Sequence, residues 1–106
     1  MSYRFMRVIV FFDLPVETSA ERRAYSKFRK FLIKSGFIMV QNSVYSKLAL
    51  NMTVSESIMK KVREASPDKG IIQMLAITEK QYSKMEYVLG EKQSTVIDSD
   101  ERLVVL

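Results

Sequence analysis

The run Arg4 to Phe12 (RFMRVIVFF) is β-branched and aromatic, and it hands over almost at once to a helix-start signal. Asp13-Leu14-Pro15 stops it. Thr18-Ser19-Ala20-Glu21 then forms a capping box, in which a Thr hydroxyl and a Glu carboxylate satisfy the free amides of a first helical turn. A buried strand followed so closely by a helix commits the chain to a layered fold with the helix packed on a sheet.

The same grammar recurs downstream. The helix is expected from about Ser19 to Ser35, with Gly36 as its left-handed cap. Phe37 to Val40 and Val44 to Leu50 flank Gln41-Asn42-Ser43 and read as a hairpin. Thr53-Val54-Ser55-Glu56 repeats the capping box and opens a second helix to roughly Ser66, stopped by Pro67. Ile71 to Thr78 is a fourth strand. Thr78 and Gln81 repeat the box spacing, which places a short helical turn at Glu79 to Lys84 before a small fifth strand, Glu86 to Leu89, closed by Gly90.

This order predicts an α+β fold: a ferredoxin-like βαββαβ plan with an extra C-terminal strand and two helices on one face of an antiparallel sheet. The other face needs cover, and extra strands crossing to a second copy would provide it, so a homodimer is expected. At 106 residues the chain can bury one core but not two. Residues 1–90 are read as the domain and 91–101 (EKQSTVIDSDE) as a flexible linker. The apolar end, Leu103, Val104, Val105 and Leu106, is expected to dock on the dimer's own sheet edge or on a partner. Val8 to Phe12 is too short for a signal-peptide core or a membrane span, so a cytoplasmic protein with no membrane role is expected.

The chain contains no Cys and no His. That removes thiol nucleophiles, imidazole bases and ordinary zinc sites together, leaving carboxylates, hydroxyls, Lys, Arg and a hard oxygen-bound cation for any catalysis. A net charge of +5 favours an anionic partner, nucleic acid before membrane. At about 100° per residue, Ala24, Phe28, Phe31 and Leu32 gather on one side of the first helix. Arg23, Lys27, Lys30 and Lys34 form a stripe on the other, widened by Arg22 and Arg29. Such a stripe suits a phosphate backbone, and it equally describes a solvated face whose late cations complement the helix dipole. Ile33 is apolar on that charged side.

Asp13 is a lone carboxylate at a strand end. It reads either as a turn-capping Asp before Pro15 or, doubled across a dimer axis, as a ligand for Mg2+. Tyr3, Tyr25, Tyr45, Tyr82 and Tyr87 would stack on bases if exposed and are otherwise core or interface residues. With three glycines, no Gly-rich phosphate loop can be assembled.

VIVFFDLP, the Arg/Lys-rich first helix with Tyr25 and Phe28, GFIMVQNSVYSK, and the late ITEKQY and ERLVVL segments together resemble the CRISPR-associated protein 2 family, in the form found in type II systems. The resemblance spans essentially the whole chain. It implies a ferredoxin-like homodimer whose fifth strand packs on the partner's sheet. Such a dimer bridges copies of the CRISPR integrase subunit and holds the double-stranded DNA inserted as a new spacer. It also implies the alternative of a metal-dependent endonuclease acting on RNA or DNA, with Asp13 of both protomers binding Mg2+ as catalytic and metal residue. Phe12 stands where the family often has Tyr. By the same resemblance, Arg7 joins Arg22, Arg23, Lys27, Lys30 and Lys34 as candidate nucleic-acid contacts, and Leu103 to Leu106 become the integrase dock.

Overall fold

The structure, a computed structural model, describes residues 5–91. Its elements are β1 (Met6–Asp13), α1 (Ser19–Lys34), β2 (Ile38–Gln41), β3 (Val44–Ala49), α2 (Met52–Glu64), β4 (Ile71–Thr78) and α3 (Glu79–Ser83). The strands form one sheet in the order β2-β3-β1-β4, antiparallel at every pairing. This is the expected ferredoxin-like α+β plan. Arg4, assigned to the first strand from sequence, lies outside the described residues, as do Tyr3, the linker from residue 92 onward and Leu103 to Leu106.

The central place of β1 explains why its sequence is apolar on both alternations. Val8, Val10 and Phe12 point to one face, where Val62 of α2 and Phe28 and Leu32 of α1 join them with Tyr45 in a single core. Both long helices cover this face. Arg7, Ile9 and Phe11 take the opposite alternation, beside Leu48, Ser46 and Val44 on β3 and Ile77, Leu75 and Gln73 on β4. Among the described residues only α3 reaches that second face, at one corner, where the Tyr82 and Ser46 hydroxyls are 3.4 Å apart. Ile38, Leu48, Ile71 and Leu75 stay exposed there.

Local signals set the element ends. The capping box at α1 is present in full: Glu21 N–H donates to Thr18 Oγ1 and Thr18 N–H to Glu21 Oε1. At the other end Gly36, at φ 95°, permits a Schellman closure, in which the Phe37 and Gly36 amides donate to the Leu32 and Ile33 carbonyls. Phe37 and Leu32 then meet in the core.

One sequence expectation is corrected. The N-cap of α2 is Asn51, not Thr53: Asn51 Oδ1 accepts from Val54 N–H at 2.9 Å, which starts the helix directly at the end of β3. Ser55 thereby turns inward, fully buried, with its hydroxyl on the Met52 carbonyl. Within a single chain Glu86 to Leu89, read from sequence as the extra strand, pairs with no other described strand. A strand is defined by its ladder, and no edge of the described chain pairs with this segment, so Val88 and Leu89 remain more than nine-tenths exposed.

Candidate nucleic-acid interface

Burial of Phe28 and Leu32 fixes the roll of α1 about its axis and so decides which side chains face out. Ser19, Arg22, Arg23, Ser26, Lys27, Lys30, Phe31 and Lys34 line one shallow open trough along the helix. Five of the six cations expected from sequence to touch nucleic acid are therefore brought together. Among the described residues the one ion pair is Arg7 with Glu79, so no carboxylate neutralises this stripe. Arg22 donates to the carbonyls of Val16 and Glu17, and Arg23 to the Ser19 hydroxyl.

Glu21, the one acid of α1, is spent on the cap. Hydrogen bonds from the backbone amides of Thr18 and Glu17 hold its carboxyl below the ordinary carboxylate range, with Thr18 the larger cause and Lys69 assisting electrostatically. It stays ionised at neutral pH while facing the helix start rather than the cations.

Sequence reasoning missed Lys47. Its amine donates to the Ser35 carbonyl at the C-terminal end of α1, where a cation complements the helix dipole. The signal was available: Lys47 shares the alternation of Tyr45 and Ala49, both buried toward the helices.

Arg7 does not join the stripe. It lies on the helix-free face, where its Nε and Nη2 donate to the two oxygens of Glu79 at 2.8 and 2.6 Å. Its guanidinium carbon sits 4.5 Å from the centre of the Tyr82 ring. Alternation in a central strand separates it from the outer surface of α1, which no reading of charge alone reveals.

Asp13 ends β1, exposed, opposite Ile71 in register and on the alternation of Arg7, Ile9 and Phe11. Phe12 faces the other way, into an aromatic cluster with Phe28, Tyr45 and Tyr25 at ring-centre distances of 5.3, 5.7 and 6.0 Å. Position 12 thus serves the core. Gly70, at φ 104°, packs its backbone against this strand end. A Cβ there would lie 2.8 Å from the Asp13 carbonyl and 2.7 Å from Leu14 Cδ2. No group of three or more acidic side chains that would hold a metal occurs among the described residues. One chain supplies one carboxylate, so the residues fit a hard divalent cation only where a second copy adds its own Asp13. Tyr45 is buried and Tyr82 is engaged with Arg7, while Tyr87 is exposed beyond α3.

Residues 6–85 match the model of the family described as CRISPR associated protein Cas2. The chain belongs to the Cas2 family. It is 58% identical over 95% of its length to the whole CRISPR-associated endoribonuclease Cas2 of Treponema denticola. It is 50% identical, again over 95% of its length and over 93% of the relative, to the protein of the same name from Streptococcus mutans. Among solved structures, one described as a crystal structure of Cas2 superposes with a TM-score of 0.57, covering 95% of this chain and 99% of that one at 17% identity. That likeness is one of fold.

In this Cas2 chain the two candidate centres stand on different layers. The cations lie on the outer side of a helix, and Asp13 lies at a strand end with the alternation of the helix-free face. No helix of the described residues is long and apolar enough to cross a membrane.

Proposed function

We propose that the chain is the dimeric adaptor of CRISPR spacer acquisition, holding double-stranded DNA by its backbone in the cytoplasm while it bridges integrase subunits. The observation that carries this reading is the stripe Arg22, Arg23, Lys27, Lys30 and Lys34, aligned along one trough and free of carboxylate partners among the described residues. Cations so placed neutralise phosphates and release counterions. Cations strung along a shallow, open trough suit contact with a duplex backbone, which positions the nucleic acid without itself reading sequence.

A homodimer is supported by two apolar surfaces that no described residue of the same chain covers: the helix-free face with Ile38, Leu48, Ile71 and Leu75, and the segment with Val88 and Leu89. In this reading residues 1–90 form the domain, and Leu103 to Leu106 dock the integrase.

A second reading is favoured by one observation of its own. Asp13 is an exposed carboxylate on the alternation of the helix-free face, where a second copy would bring its equivalent, and the relatives above are named endoribonucleases. Mg2+ held between two such carboxylates supplies a Lewis acid for a phosphodiester. The residues of this chain would position the ion and the backbone; among the described residues none is placed beside Asp13 as a general base.

A salt-titrated duplex-binding assay, run beside a cleavage assay on duplex DNA and single-stranded RNA with and without Mg2+, separates these readings. The adaptor reading expects Asp13→Ala to bind duplex within about twofold of wild type, since Asp13 is not in the stripe. Mg2+-dependent cleavage that vanishes in Asp13→Ala would establish the endonuclease, and absence of duplex binding at low salt would end the adaptor reading.

A further inference from the structure

Arg7 is a cation in the middle of a sheet, 15% exposed, and the fold has given it two partners. The two oxygens of Glu79 accept from it in a bidentate fork, and the ring of Tyr82 lies beneath its guanidinium. Tyr82 in turn places its hydroxyl beside that of Ser46, itself buried on the helix-free face. Glu79 and Tyr82 are i and i+3 on α3, so both project to the same side and grip one residue of β1.

The position of this grip matters because of what surrounds it. The Glu79 amide donates to the Phe5 carbonyl at the last rung between β1 and β4, and the Thr78–Gln81 capping box turns the chain there. Immediately after α3, Met85, Tyr87, Val88 and Leu89 run exposed, the last two more than nine-tenths so. Without the grip, five helical residues with only a capping box to hold them are too short to persist. The chain after Thr78 would then be free to continue along β4 or to fold back over its own apolar face.

We propose that Arg7, Glu79 and Tyr82 form a latch that aims the segment 84–91 away from its own sheet and presents it to a second copy of the chain. Arg7 is thereby a positioning residue for dimerisation, not a phosphate contact. This rests on the homodimer of the preceding section. It adds a reason why the apolar segment and the apolar face of one protomer do not satisfy each other: α3, locked across the corner between them, sets the direction in which the chain leaves.

The test measures the dimer dissociation constant by sedimentation equilibrium for wild type, Arg7→Ala, Glu79→Gln and the exchanged pair Arg7→Glu/Glu79→Arg, with duplex-binding salt slopes measured in parallel. The single variants should weaken dimerisation by about tenfold or more, and the exchanged pair should recover most of the loss. Duplex-binding slopes normalised per dimer should not change. Circular dichroism melts check that each variant folds, and Glu79→Gln, which keeps the side-chain shape, carries the test if Arg7→Ala does not fold. A dimer constant within about twofold of wild type in Glu79→Gln, or no recovery in the exchanged pair, overturns the latch while leaving the dimer intact. A wild-type chain that stays monomeric at high concentration overturns the dimer itself. A slope that falls in Arg7→Ala returns Arg7 to the phosphate contacts.

Discussion

Replacing Lys27 and Lys30 together with glutamine removes two neighbouring charges from the centre of the α1 trough while keeping side-chain length and helix propensity close to native. If the five cations Arg22, Arg23, Lys27, Lys30 and Lys34 each neutralise one phosphate, log affinity falls with log salt at a slope of about −4.5 per protomer. Between about 50 and 200 mM salt that weakens binding roughly 500-fold. With two contacts gone, the slope becomes about −2.7 and the loss over the same range only roughly 40-fold. At about 0.1 M salt the missing counterion release lowers affinity by roughly 60-fold. Fluorescence anisotropy on a labelled duplex across four salt concentrations reads both quantities. Lys60→Gln/Lys61→Gln on α2 is the control, because it makes the same change in net charge at exposed positions outside the trough. Parallel salt lines for wild type and the α1 variant would refute the reasoning, and so would an equal drop in slope from the α2 pair, which would mean a diffuse field and no defined track.

Gly70→Ala should cost roughly 1–3 kcal/mol from its left-handed backbone alone, before its contacts with Asp13 and Leu14 are counted, and should appear as a lower urea midpoint at unchanged m-value. Phe28→Ala opens the core between α1 and β1 and should cost about 3–5 kcal/mol by thermal or urea melts. Because the Glu21 carboxyl is held low in the folded chain, its contribution is fully present above its unfolded value of about 4.3 and is lost as pH falls through the lower folded value. The difference between wild-type and Glu21→Gln stability should therefore be constant at neutral pH and shift in favour of the variant on acidification; a difference that stays flat down to about pH 3 would show that the cap carboxylate does not titrate with folding.

Much of the fold was legible because its signals are local. The capping box at Thr18, the Schellman glycine at Gly36, the hairpin at Asn42-Ser43 and the second box at Thr78 each act within one turn of chain, so residue identity settles them. Where two local signals competed, sequence chose wrongly. Thr53 and Glu56 have the spacing of a box, but Asn51 reaches the first free amide earlier and takes the cap. Glu86 to Leu89 has the composition of a strand, but one chain by itself offers it no ladder, so its pairing is not a matter of local signals. The α1 stripe was readable because helical periodicity alone places its members on one side. Arg7 was not, because its partners are 72 and 75 residues away in sequence.

By itself the sequence determined that this chain is a basic, His-free and Cys-free βαββαβ domain with its cations concentrated on one helix, since composition, capping and periodicity are properties of short windows. Only the tertiary structure decided that Arg7 is a half-buried brace and Asp13 an exposed end on the alternation of the helix-free face. Those fates depend on strand order and register, which bring together groups far apart along the chain and set which of two faces each side chain takes.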